Sequence, residues 1–187
     1  MYDNIIDEWT TDEGYRVRVM QDYDDIGNPR EWDNLGTMAC WHGRYDLGDE
    51  QPSESPSEYL EGLPEGTVIL PLYLYDHSGL TMSTSAFSCP WDSGQVGIIY
   101  VTPDTLAREM LADRDENEVR TMLIHEVNTY DLYLRGEVFY YNVEKPVVCD
   151  HGDTHWEHVD GCGGYLGYTD TLAEVKSEWP EREKATA

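Results

Sequence analysis

Cations are scarce in this sequence. Three Lys and nine Arg stand against thirty-eight Asp and Glu in 187 residues, giving a formal net charge of −26 and a pI near 4.2. Such a chain repels nucleic acid and anionic membrane and attracts basic protein surfaces. Direct binding to nucleic acid or membrane is therefore not expected. Long apolar runs are missing too. No stretch approaches the ~18 to 20 apolar residues of a membrane span. Residues 1–9 are acidic and lack the basic start and apolar core of an export signal, so a cytoplasmic location is expected. Phe occurs only twice.

The familiar signatures of catalysis and ligand binding are absent as well. The sequence has no G-x-S-x-G, no phosphate-binding glycine loop and no dinucleotide fingerprint. His125-Glu126 starts an H-E-x-x-H motif, but the second His position is Thr129, which excludes that zinc site. Asp22, Asp24 and Asp25 lack the spacing of a calcium loop. Cys89 with Asp92, and Asp76 with His77, carry only a weak signal for nucleophilic catalysis. An enzyme is not expected.

The aromatic residues that are present are fourteen Tyr and six Trp. Each has an apolar body and a polar handle, which suits half-buried sheet faces and interfaces. With the regular apolar runs they argue for an ordered body despite the charge. Alternation predicts strands at 15–21, 67–76, 95–102 and 137–144, with a return strand at 80–87 and a short one at 156–160. Pro71 predicts an edge or a bulge in the second of these. Thr102-Pro103-Asp104 predicts a helix start, and Asp115 with Glu118 a capping box. Apolar residues from Val119 to Leu134 at helical spacing predict an amphipathic helix over 117–134. A charged helix is expected at 169–184, stopping near Pro180.

The order of elements predicts an α+β fold, with a mainly antiparallel sheet and two to three helices packed on one face. The length suits a single domain spanning 1–187. Residues 46–64 are polar, without periodicity, and predict a flexible acidic loop.

A Cys/His/Gly-rich segment spans 149–168. Cys149, His151, His155 and Cys162 together offer two thiolates and two imidazoles, a set that zinc accepts. Their spacing matches no standard finger. A loop with free thiols and surface histidines is the plainer alternative.

The run S-C-P-W-D-S-G-Q-V-G-I-I-Y-V-T at 88–102 resembles a family of small acidic proteins carried by phages and other mobile elements. The runs T-Y-D-L-Y-L-R-G-E-V at 129–138 and V-D-G-C-G-G-Y-L-G at 159–167 resemble it too. The family has no established activity to transfer. The resemblance implies a gene that must survive inside a host cell.

Composition and resemblance together lead to the expectation of a protein that binds and inhibits a host nucleic-acid-targeting defence system, as an anti-CRISPR or anti-restriction protein. The partner would be a basic surface of a host defence protein. DNA mimicry is possible in magnitude: at one charge per ~1.7 Å of duplex, twenty-six charges match roughly 44 Å. The expected partner-binding residues are Asp22, Asp24, Asp25, Asp46, Asp49, Glu50, Asp113, Asp115 and Glu116. A salt-adapted acidic protein with no inhibitory role, or a small zinc module or enzyme, are the alternatives.

Overall fold

The computed structural model describes residues 4–24 and 26–183. The fold is α+β, with strands β1 (Ile5–Thr10), β2 (Arg16–Gln21) and β3 (Thr37–Cys40) before helix α1 (Pro56–Glu61). There follow β4 (Val68–Asp76), β5 (Leu80–Ser83), β6 (Ser93–Val101), α2 (Pro103–Arg108) and α3 (Glu116–Leu134). The chain closes with β7 (Val138–Val148), β8 (Thr154–Leu166) and α4 (Tyr168–Glu178). Both sheets are antiparallel and four-stranded. The chain gathers into two compact units, 27–135 and the two flanking stretches 1–26 and 136–187.

The central unit holds the sheet β3-β6-β4-β5. Alternation along β4 sends Val68, Leu70, Leu72 and Leu74 to one face, where they are buried. That face meets Val119, Leu123, Val127 and Tyr130 of α3. These four recur at the three- and four-residue spacing that puts side chains on one helix stripe. Leu123 is fully buried, and burying a Leu side chain is worth about 1.5–3 kcal/mol. The start of α3 is fixed by the predicted box: Asp115 accepts from the Glu118 amide, and Glu118 accepts from the Asp115 amide. Pro71 also behaves as its chemistry requires. It pairs with Ile98 on one side, lies beyond the end of β5 on the other, and adjoins a register shift at Leu72/Tyr73.

The flanking unit holds the sheet β1-β2-β7-β8. Val17, Val19, Phe139, Tyr141 and Val143 form a core with Trp9 and Val175 of α4. The Trp9 indole donates to the Trp179 carbonyl, and the buried Thr171 hydroxyl donates to the Gly167 carbonyl.

Several elements differ from their sequence reading. The stretch 46–64 carries α1, because Ser55 and Glu58 form a complete capping box before Pro56. The short strand at 156–160 is part of the much longer β8, and the return strand ends at Ser83. Among the described residues no helix is long and apolar enough to cross a membrane.

Candidate functional site

Charge is the first feature to place. All eleven described basic residues sit within ion-pair distance of a carboxylate: Arg16, Arg18, Arg30, Arg44, Arg108, Arg114, Arg120, Arg135, Lys145, Lys176 and Arg182. The twelfth, Lys184, lies outside the described residues. Each described cation is thus already neutralised locally. The excess of carboxylates has no described cation to balance it.

The predicted acidic residues divide by role. Asp22 is half-buried; its carboxylate accepts from the Asp24 amide at 3.0 Å and the Gly164 amide at 3.4 Å. Asp24, Asp46 and Asp113 are exposed. Asp25 lies outside the described residues. Glu50 accepts from the Tyr59 hydroxyl at 2.6 Å. Asp115 caps α3, and Glu116 pairs with Arg120 at 2.8 Å. Asp22 and Asp24 belong to the flanking unit, while the six from Asp46 to Glu116 belong to the central one.

Asp49 also has a role within the fold. Its carboxylate takes the Arg30 guanidinium by Nε at 3.0 Å and Nη2 at 2.7 Å, and the Met38 amide at 2.7 Å. Arg30 is buried, its side chain only 2 % exposed, and it also reaches Glu126 at 3.0 Å. Glu126 in turn accepts from the amides of Leu35 and Gly36. Burial alone would lower the Arg30 pKa; the hydrogen bonds and charges of Asp49 and Glu126 outweigh it and hold the pKa above its ordinary value. This network ties the loop before β3 to α3. Sequence reading assigned Glu126 no role beyond the failed H-E-x-x-H motif. The available signal was its position three residues after Leu123 and four before Tyr130, on the buried stripe, where a carboxylate requires a partner.

The zinc set is also corrected. Cys149 and His151 lie at the turn joining β7 to β8. His155 pairs with Val147, whereas Cys162 pairs with Tyr141. Six residues of β7 separate those two rungs, roughly 20 Å at ~3.3 Å per residue. Zinc–sulfur and zinc–nitrogen bonds are about 2.0–2.3 Å, so the four side chains cannot close on one ion. Among the described residues no group of three or more His, Cys, Asp or Glu is placed to hold a metal.

The 88–102 run builds the most distinctive surface feature. Its loop between β5 and β6 is held from several sides. The Ser93 hydroxyl donates to the Cys89 carbonyl, and the Asp76 amide donates to the Asp92 carbonyl at 2.8 Å. Asp92 Oδ2 stands 3.2 Å from His77 Nδ1 and accepts from the Cys89 thiol at 3.7 Å. Trp91 projects from this loop and is 91 % exposed. Beside it lies a cleft of about 460 Å³, lined by Trp91, Asp92, Asp76, His42 and Arg44 among others. Arg44 spans it, donating to Asp76 at 3.0 Å. The Cys89 thiol faces a carboxylate here rather than an imidazole. That is the wrong neighbour for an activated thiolate, which forms beside a cation or a base.

Glycine permits the strand that carries the loop. A Cβ on Gly97 would stand 2.3 Å from the Ala39 carbonyl oxygen and 3.0 Å from the Cys40 Cα. Only the missing side chain lets β6 approach β3 so closely.

No protein-family model, curated protein or solved structure matches the chain.

Proposed function

We propose that this protein is a binding protein of a phage or mobile element that inhibits a host nucleic-acid-targeting defence enzyme by occupying its basic surface. The observation that carries the reading is the state of the cations. With every described Lys and Arg paired to a carboxylate, a net charge of −26 is left to act on the surroundings. A field of that sign raises encounter rates with basic surfaces and suppresses contact with anionic ones. Restriction and CRISPR enzymes hold nucleic acid in basic channels, as the heteroduplex channel of RNA-guided effectors illustrates. The resemblance of 88–102 to phage-borne proteins supports the same class of partner and a place of action in the host cytoplasm. Asp49, whose carboxylate is taken up by Arg30 and the Met38 amide, contributes less to that surface than Asp24, Asp46 and Asp113.

The test is capture from host lysate at low salt with the tagged full chain, followed by salt elution and identification. The expected result is a restriction or CRISPR component that leaves the protein as salt rises. Capture of no nucleic-acid-processing protein contradicts the proposal.

A further inference from the structure

Trp91 is the side chain whose exposure the fold least explains. Indole is among the largest apolar groups a protein can bury, and at interfaces Trp is enriched among residues that dominate affinity. Here it is presented on a loop whose backbone is held by the Ser93, Asp76 and His77 contacts. Asp92, the next residue, has a side chain 39 % exposed. Trp91 and Asp92 both line one cleft.

The protein uses that pair of groups internally. In the flanking unit the Arg16 guanidinium lies 4.1 Å from the centre of the Trp156 ring while its Nε donates to Glu144 at 2.9 Å. In the cleft itself Arg44 stands over Tyr45 at 5.7 Å and reaches Asp76. In each case the guanidinium carbon stands over an aromatic ring and a carboxylate takes the N–H groups. Such pairing is favoured because a ring face is negative and a guanidinium is weakly hydrated. Among the described residues no cation stands over Trp91.

We infer that Trp91 and Asp92 form a receptor for an arginine side chain of a basic protein partner. The guanidinium stacks on the Trp91 indole and donates to the Asp92 carboxylate. The occupant is fixed by charge: a surface of this sign draws cations, and arginine alone combines a flat stackable face with forked donors. The inference rests on the reading of a basic partner and names what that partner inserts.

The test uses the full chain and a short, otherwise uncharged Gly/Ser peptide carrying two arginines. Its matched versions carry citrulline or lysine at the same places. Binding is followed by calorimetry and by the Trp91 indole N–H resonance, assigned by its loss in Trp91→Phe. The arginine peptide is expected to move that resonance and the citrulline peptide to leave it in place. Trp91→Ala is expected to weaken arginine-peptide binding by roughly 2- to 30-fold at fixed salt, the range one cation–π contact covers. Trp91→Phe should fall between, and Met110→Ala, a change at another exposed apolar residue, should bind like the parent. Equal affinity in Trp91→Ala, or peptide binding with an unmoved indole signal, overturns the receptor. Both variants then go into the lysate capture. A defence enzyme retained equally by Trp91→Ala removes this inference and leaves the inhibitor reading. Trp91-dependent peptide binding with no defence enzyme captured does the reverse.

Discussion

Replacing Arg30 by Met should be among the most damaging single changes in the central unit. The Arg30 side chain makes four hydrogen bonds: two to Asp49, one to Glu126 and one to the Gly36 carbonyl at 2.6 Å. Methionine supplies comparable packing and none of these. Two carboxylates whose side chains are only 22 % and 16 % exposed then lose their shared cation. Removing one partner of a buried ion pair costs about 3–5 kcal/mol, because the remaining charge stays desolvated. The amides of Leu35, Gly36 and Met38 still donate to those carboxylates, which places the expected loss near the lower figure. For chains of this length each kcal/mol moves the Tm by about 2–4 °C, so a drop of roughly 6–12 °C is expected at 3 kcal/mol. Urea unfolding followed by circular dichroism gives the free energy, and the thermal melt gives the shift. The loss should persist in 1 M salt, since buried pairs are weakly screened. A change below about 1 kcal/mol, or one abolished by salt, is the behaviour of an exposed pair and refutes the assignment of Arg30 as the hub of the loop–helix junction.

Other expectations follow from single features. Gly97→Ala sets a Cβ against the Ala39 carbonyl, a backbone atom that cannot swing away; overpacking of this kind costs about 1–3 kcal/mol, read by urea unfolding. Burial pushes the Cys40 thiol up to about 12, with the Asp49 charge adding to the shift. An acid raised in the folded state, from about 8.5 when unfolded, contributes its full stability below about pH 8.5 and loses it as pH rises toward 12. Buried Tyr130, together with Tyr59 and Tyr141 whose hydroxyls are desolvated and hydrogen-bonded to carboxylates, extends the same trend. Stability should therefore fall from about pH 8.5 upward, and at pH 8 Cys40 should resist alkylation while exposed Cys162 reacts; rapid labelling of all four thiols would contradict the burial. Moderate salt should raise the Tm by screening the self-repulsion of −26 charges. A chain that folds only in molar salt would favour the salt-adapted alternative instead.

The legible parts of the fold were those where local chemistry and packing agree. Thr102-Pro103 and Asp115 with Glu118 mark their helix starts because a side-chain oxygen must satisfy free amides wherever a helix begins. The β4 alternation was readable because one face of that strand is dry. β1 and β3 were not readable. Ile5–Thr10 has a mostly exposed pattern with only Trp9 buried, and Thr37–Cys40 is four residues long, too short to display a period. Helix α1 hides in a polar stretch because its order comes from the Ser55–Glu58 box and from Tyr59 contacting Trp41 and Tyr100, not from a buried stripe. At the site level, composition shows the sign of the surface charge. It could not indicate which carboxylates are held by a buried cation, since Asp49 and Asp46 look alike until Arg30 is placed. Nor could it set the β7–β8 register, which separates Cys149 from Cys162.

The central claim is that this protein and nucleic acid compete for one basic surface. Its most direct measurement is a titration of duplex DNA or guide RNA into the complex of the protein with its captured defence enzyme, followed by the fraction of protein released. Release that tracks nucleic-acid concentration, with a dissociation constant that rises steeply with salt, is the predicted result. A complex that keeps its protein under saturating nucleic acid, with affinity indifferent to salt, contradicts the account.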